Sequence, residues 1–112
     1  MRMAERIFFL NKLRDGVSRE QGDRFLLERD IPMGRSVPAI TSYTVTRLEG
    51  RLFDEDGVPY DYLDVVEVTS VDDYYADIAR LEQTDEWHEF VAEWEAHVDR
   101  MRSLPVHGTV LE

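Results

Sequence analysis

The sequence contains no cysteine, which excludes disulfides, thiolate nucleophiles and cysteine-ligated metal sites. It has no apolar run near the roughly 20 residues that a membrane-spanning helix requires, and it does not begin with a basic and then apolar leader. A glycine-rich phosphate loop, a dinucleotide fingerprint and a His-Glu-x-x-His metal motif are also absent. These absences predict a cytoplasmic protein that is not a metalloenzyme.

Basic residues are scarce, with 13 Lys and Arg against 24 Asp and Glu, for a net charge of −11. A surface of this sign repels phosphate backbones and anionic lipids, so neither nucleic acid nor a membrane is an expected partner. Hydrophobic residues make up 43% of the chain, too many for a disordered protein. A chain of 112 residues predicts one domain, residues 1–112, that buries roughly two-thirds of its unfolded surface.

The first third of the chain predicts a strand followed by a helix. The apolar run over 6–13 indicates the strand. Ser18 with Gln21 three residues later is typical of a capping box that opens a helix. Pro32 is expected to end this helix near Asp30, because the residue before a proline avoids helical geometry.

The rest of the chain predicts two strands, two helical pieces and a last strand. Strands are expected over 40–49 and 60–69, and the last over 106–111. Ser70 and Thr84 are helix-capping residues that open the two helical pieces. The second piece has an apolar stripe at helical spacing, which consists of Trp87, Phe90, Val91, Trp94, Val98 and Met101.

The resulting order, β-α-β-β-α-β, is that of the ferredoxin-like split βαβ fold of the α+β class. It predicts a four-stranded antiparallel sheet with helices on one face. The first strand, however, is apolar on both faces, with Ile7 and Phe9 on one and Phe8 and Leu10 on the other. Because the helices cover only one face, the other is expected to pack against a second copy, so that a homodimer forms a dimeric α+β barrel.

Asp30 is the first candidate catalytic residue. A carboxylate at the C-terminal end of a helix faces the negative end of the helix dipole, which raises its pKa and suits proton transfer. The alternative for Asp30 is a surface salt bridge with Arg29 or Arg35.

His97 and Glu67 are the other two candidate catalytic residues. His97 falls beside Trp94 on the apolar face of the last helix, where it acts either as a proton shuttle or as a core-edge histidine bonded to a carbonyl. Glu67 lies among valines and shares a strand face with Leu63 and Val65, which favours a position inside a cavity over a solvated face.

Five residues are candidates for binding a substrate. The phenols of Tyr43 and Tyr62 lie in central strands and need hydrogen-bond partners if buried. Arg47, beside Tyr43, is able to hold a carboxylate or a phenolate, and Asn11 to donate to a carbonyl. Trp94 offers an aromatic wall. Each also has a purely structural interpretation: core packing for the aromatics, pairing with a glutamate for Arg47, and a strand-end cap for Asn11.

Two stretches resemble a known family. Residues 29–47 include Arg-Asp-Ile-Pro and then Pro-Ala-Ile-Thr-Ser-Tyr-Thr-Val-Thr-Arg, which is similar to the first helix-to-strand junction of small dimeric α+β barrel proteins. Residues 59–68, Pro-Tyr-Asp-Tyr-Leu-Asp-Val-Val-Glu-Val, resemble the third strand of the REDY-like members of that superfamily. The similarity extends over nearly the whole chain, with departures in the acidic loop 51–58 and in the tryptophan-rich last helix.

REDY-like proteins accompany bacterial pathways to pyrrole- and indole-derived pigments and antibiotics. The resemblance implies a cavity between helices and sheet in each subunit, a small aromatic substrate, and catalysis without a metal or another cofactor. The reactions that it implies are cyclisations or other tailoring steps on reactive aromatic intermediates, including bisindoles.

Three hypotheses about function follow. The first is a cofactor-free tailoring enzyme of bacterial secondary metabolism that catalyses a cyclisation or a proton-transfer rearrangement. The second is a cofactor-independent monooxygenase, as in sibling families of the same barrel. The third is a binding protein that shields an unstable intermediate without converting it.

Overall fold

A computed structural model describes residues 3–112. Its four strands are β1 (Glu5–Asn11), β2 (Ile40–Arg47), β3 (Tyr62–Val68) and β4 (Leu104–Thr109). They form one sheet in the order β2-β3-β1-β4, and every neighbouring pair is antiparallel. This is the ferredoxin-like strand order, and the predicted α+β chain fold is confirmed.

Helical segments occupy the two crossovers between strands. They are α1 (Arg19–Phe25), a π-helical turn (Leu26–Asp30), α2 (Ile31–Ser36), α3 (Val71–Leu81), α4 (Asp85–His97) and a short 3₁₀ helix (Arg100–Arg102). Within residues 3–112, each helix is too short or too polar to cross a bilayer.

The predicted helix starts are confirmed by their caps. Ser18 Oγ accepts from the backbone N–H of Gln21 at 3.1 Å, and the Gln21 side chain accepts from the Ser18 N–H at 2.9 Å. The Ser70 hydroxyl caps α3, and the Thr84 hydroxyl caps α4. These bonds satisfy N–H groups that lack a partner within the helix.

The prediction that Pro32 ends the first helix near Asp30 is wrong. The chain passes through the π-helical turn and continues as α2 to Ser36. Pro32 lies in the first turn of α2, directly after the π-helical turn, and the start of a helix tolerates a residue without an N–H. As a result Asp30 lies inside a continuous helical run, and its side chain is buried.

The C-terminal boundaries also differ from those predicted. Helix α4 ends at His97, because Val98 has an extended backbone and forms an isolated bridge with Leu13. Met101, predicted to continue the apolar stripe, is 91% exposed. Pro105 does not precede the last strand but lies within β4, which is an edge strand and therefore tolerates a missing N–H.

The two faces of the sheet have different surroundings. The face toward the helices carries two clusters of buried side chains: Leu13, Phe25, Leu26, Tyr62 and Phe90 in one, and Ile7, Tyr43, Val66 and Val68 in the other. The opposite face carries an apolar patch in which Phe8 pairs with Val65 and Val106, and Leu10 with Leu63. We call these five residues the helix-free patch.

Candidate functional site

A cavity of about 530 Å³ lies between the sheet and the helices. Its wall is mainly apolar and aromatic, and includes Phe9, Met33, Tyr74, Trp87, Phe90, Val91 and Trp94. Four buried polar residues also line it, namely Asn11, Asp30, Tyr43 and Asp64. We call these four the polar floor. Apolar walls with a few convergent polar groups are typical of small-molecule sites.

The polar floor is assembled from three strands and one helical turn. Strand alternation turns Asn11 of β1, Tyr43 of β2 and Asp64 of β3 toward the helices. Asp30 closes the π-helical turn above them. Gly34 allows Tyr43 to lie close to α2, because a Cβ at position 34 would be 2.6 Å from the tyrosine ring.

Tyr43 links the two carboxyl groups of the floor. Its phenolic oxygen lies 2.8 Å from Asp30 Oδ2 and 3.0 Å from Asp64 Oδ2. Asn11 Nδ2 donates to the same Asp64 oxygen at 3.2 Å. The other oxygen, Asp64 Oδ1, is buried and has no hydrogen-bond partner among the described residues.

Burial is the main electrostatic influence on these groups. Burial raises the pKa of Asp30 to about 6, although the hydrogen bond from Tyr43 acts in the opposite direction. Burial, followed by the nearby charge of Asp30, raises the pKa of Asp64 to about 8. Burial also raises the pKa of Tyr43, so it remains a phenol. Near neutral pH the pair therefore contains one ionised and one protonated carboxyl group, which is the arrangement of a base beside an acid.

The protonation states give the hydrogen bonds a direction. The protonated Asp64 donates to the Tyr43 oxygen, and Tyr43 donates to the ionised Asp30. Three further ionisable side chains line the cavity and are exposed, namely Glu82, His88 and Arg100. Arg100 lies over the ring of Trp94 and pairs with Glu95 at 2.6 Å. Among residues 3–112, no group of three or more His, Asp or Glu side chains is arranged to hold a metal ion.

Residues 5–107 match the family described as REDY-like protein HapK. The chain belongs to the REDY-like HapK family. The resemblance noted in the sequence is thereby confirmed. No curated protein matches the chain by sequence.

Solved structures show the same fold at low sequence identity. HapK from Hahella chejuensis is 18% identical with a TM-score of 0.71, covering 96% of this chain and 92% of that chain. Hydroxynitrile lyase from Passiflora edulis is 14% identical with a TM-score of 0.68, over 98% and 95% of the two chains. A dimeric ferredoxin-like protein of unknown function from Thermobifida fusca YX is 17% identical with a TM-score of 0.62, over 96% and 92%.

Four of the eight residues selected from the sequence of this REDY-like protein line the cavity. They are Asn11, Asp30, Tyr43 and Trp94. Asp30 does not form the surface salt bridge considered as its alternative, because its carboxylate accepts from Tyr43 and is 6% exposed.

Glu67 does not face the cavity, and its expected inward position is wrong. Residues alternate along β3, and Tyr62, Asp64 and Val66 are the ones buried beneath the helices. Glu67 therefore lies on the opposite face, where it pairs with Arg6 at 2.9 Å and is partly exposed.

His97 is also outside the cavity lining. Its ring stacks on Phe25 with centroids 4.3 Å apart, and its Nδ1 lies 2.8 Å from the Glu93 carbonyl oxygen. This is the core-edge arrangement considered as the alternative to a proton shuttle.

Tyr62 and Arg47 are held away from the cavity by a residue of α1. Tyr62 Oη donates to Asp23 Oδ1 at 2.6 Å. Arg47 pairs with the same Asp23 and with Glu49, the latter at 2.9 Å. Both side chains therefore attach α1 to the sheet instead of contacting the cavity.

Asp64 is a candidate functional residue that was not predicted from the sequence. It belongs to the stretch that resembles the REDY-like third strand. The signal in the sequence was the two-residue spacing of Tyr62, Asp64 and Val66. This spacing places the Asp64 carboxyl group on the same face of the strand as Tyr62.

Proposed function

We propose that this protein is a cofactor-independent tailoring enzyme of bacterial secondary metabolism, which transfers protons during cyclisation or rearrangement of a reactive aromatic intermediate. The observation that supports this most directly is the hydrogen-bonded series Asp30–Tyr43–Asp64 at the buried end of an aromatic-lined cavity. Membership of the REDY-like HapK family supports a biosynthetic tailoring role.

The cavity wall favours a planar, largely apolar substrate. Trp87, Phe90 and Trp94 present aromatic rings from α4, and Met33 adds an adaptable side chain from α2. Aromatic side chains pack well against flat rings in offset or edge-to-face geometry. An indole- or pyrrole-derived intermediate fits this chemistry and a volume of about 530 Å³.

The polar floor supplies an acid and a base for one proton-transfer cycle. The ionised Asp30 removes a proton from the bond-forming group, and the protonated Asp64 donates one to the group that gains electron density. Tyr43 then passes a proton between them: it accepts from Asp30 while it donates to Asp64, which restores the starting states. General acid–base catalysis of this kind contributes roughly 10²–10⁴-fold to a rate, and a held orientation contributes further.

The proposed enzyme is a homodimer. The helix-free patch is an apolar surface on the face of the sheet that the helices leave open. A two-fold partner that places the same patch against it forms a closed barrel. The likeness to a dimeric ferredoxin-like protein from Thermobifida fusca supports this assembly.

Turnover with purified protein tests the proposal. The protein is incubated with a panel of indole- and pyrrole-derived intermediates, with and without oxygen, and products are quantified by mass spectrometry. We expect one intermediate to be converted without oxygen uptake, and Asp30→Asn to reduce this conversion at least about 100-fold. Glu20→Gln, which neutralises an exposed carboxylate of α1, is the matched control.

Two results would contradict the proposal. Oxygen consumed in step with product would indicate a monooxygenase. Product distributions that are the same with and without the protein, despite binding of the intermediate, would indicate a shielding protein.

A further inference from the structure

We propose that the polar floor binds a positively charged, hydrogen-bond-donating nitrogen of the ligand, such as a protonated amine or an iminium group, in exchange for a proton. The inference rests on the proposed function, because it concerns the same cavity, and it specifies the class of substrate: an aromatic that carries a basic nitrogen.

The three side chains Asp30, Tyr43 and Asp64 share two protons. The phenolic oxygen of Tyr43 is within hydrogen-bonding distance of a carboxyl oxygen of Asp30 and of Asp64. A phenol has one proton and can donate to only one of them. The second contact therefore requires a proton on a carboxyl group, so the three side chains together hold two protons. One of these two protons can be replaced by the positive charge of a ligand.

One acceptor atom of the polar floor lacks a donor. Asp64 is 1% exposed and lines the cavity, and its Oδ1 has no hydrogen-bond partner among the described residues. A buried acceptor without a partner costs free energy that a donor restores. A nitrogen that carries a proton provides that donor, whereas a carboxylate or a phenolate of a ligand does not.

The charges around the cavity disfavour an anionic ligand at the floor. The basic groups that line it, His88 and Arg100, are both exposed at its edge, and Arg100 is paired with Glu95. Among residues 3–112, the other titratable groups that line the cavity outside the floor are Tyr74 of α3 and Glu82, the C-cap of α3. An anion at the floor would therefore face two carboxyl groups without a compensating cation, which is a costly arrangement in a buried site.

A cation at the floor is instead stabilised by a negative charge beside it. It therefore favours the ionised form of Asp64, so its binding releases the proton that this carboxyl group holds. The raised pKa of Asp64, about 8, means that a proton is available for release at pH 7.

Isothermal titration with three ligands that share one ring system tests the inference. The ligands are 1-naphthylmethylamine, a cation at pH 7, the neutral 1-naphthalenemethanol and the anionic 1-naphthoate. We expect the amine to bind at least about tenfold more tightly than the alcohol, and the alcohol more tightly than the carboxylate. Titrations in buffers of different ionisation enthalpy should show release of about one proton per amine bound.

Two variants assign the effect to the floor. Asp64→Asn should abolish both the preference for the amine and the proton release, whereas Glu20→Gln, with the same change in net charge, should keep both. Thermal melts establish that the variants are folded. A selective ¹³C signal from the Asp64 carboxyl group should shift toward the ionised form when the amine is added to the native protein.

Several outcomes would overturn the inference. Equal affinity for the three ligands, tighter binding of the carboxylate, or binding of the amine without proton release would each do so, while leaving the proposed acid–base role to be judged by turnover. Conversely, failure of the turnover experiment with a preserved amine preference would contradict the proposed function alone. If none of the three ligands binds at millimolar concentration, both ideas fail, because the cavity then does not admit a bicyclic aromatic.

Discussion

The phenol of Tyr43 donates to the carboxylate of Asp30 across 2.8 Å, which joins the middle of β2 to the end of the π-helical turn. The helical run that continues through this turn holds Asp30 over the sheet. The same phenol reaches Asp64 at 3.0 Å, so one side chain connects both carboxyl groups of the cavity.

Removing the phenol should raise the pKa of Asp30. The hydrogen bond that Tyr43 donates to Asp30 lowers this pKa, against the larger effect of burial. In Tyr43→Phe the pKa of Asp30 should therefore rise above about 6. A ¹³C NMR titration of the carboxyl groups measures this. Tyr75→Phe, which alters an exposed tyrosine, should leave the pKa of Asp30 unchanged; an unchanged or lower pKa of Asp30 in Tyr43→Phe would refute the assignment.

A methyl group at position 34 should displace Tyr43. The Cβ of an alanine there would lie 2.6 Å from the ring, so the ring or α2 must move. Overpacking of this kind lowers the free energy of unfolding by about 1–3 kcal/mol, although alanine is the better helix former. Gly50→Ala is the control, because no atom lies within 4 Å of its added Cβ. Urea denaturation that gives equal stabilities for the two variants would rule out the close approach.

Stability should fall as pH rises across the neutral range. The pKa values of Asp30 and Asp64 are raised from 3.8 to about 6 and about 8, so the folded state binds more protons than the unfolded chain between pH 4 and 8. Their favourable contribution is complete below about pH 4 and is lost as pH passes these two values.

Asp64→Asn isolates this effect, because an amide does not ionise. As pH increases from 5 to 9, the melting temperature of the variant should rise relative to that of the native protein. The difference at pH 9 should be several degrees, which corresponds to about 1 kcal/mol or more in the free energy of unfolding for a domain of this size. Differential scanning fluorimetry over this range measures it. A difference that does not depend on pH would show that Asp64 has an ordinary pKa.

A charge in the helix-free patch should dissociate the proposed dimer. Val65 lies in this patch opposite Phe8 of β1. Burying an unpaired carboxylate at an interface costs several kcal/mol, so Val65→Asp should be a monomer in light scattering at micromolar concentration. Leu52→Asp, at a residue that is 81% exposed in a loop, should retain the dimer. A monomeric native protein would disprove the assembly.

Local signals in the sequence were sufficient to predict the fold. Caps such as Ser18 and Thr84 act through bonds within one turn, and strand alternation needs no distant information. The π-helical turn was not predictable in this way. Pro32 normally ends a helix, and only the packing of Asp30 onto Tyr43 reveals that the helical run continues past it.

The candidate site was predicted only in part, and β3 shows why. Both faces of this strand are apolar, with Leu63 and Val65 on one and Val66 and Val68 on the other. The pattern therefore does not indicate which face the helices cover. Glu67 was predicted to face the cavity, whereas the buried carboxylate is that of Asp64, which lies on the other face of the strand together with Val66. Pairings between residues distant in the sequence explain why two other candidates, Arg47 and Tyr62, do not line the cavity. No local pattern indicates that Asp23 of α1 holds Arg47 and Tyr62.

The pH dependence of turnover, measured for the native protein and for Asp30→Asn, tests the proposed acid–base pair most directly. We predict a native rate that falls below about pH 6, where Asp30 loses its role as base, and above about pH 8, where Asp64 loses its role as acid. Asp30→Asn should be slower at least about 100-fold throughout. A native rate that is flat from pH 5 to 9, or full activity in Asp30→Asn, would contradict the proposed mechanism.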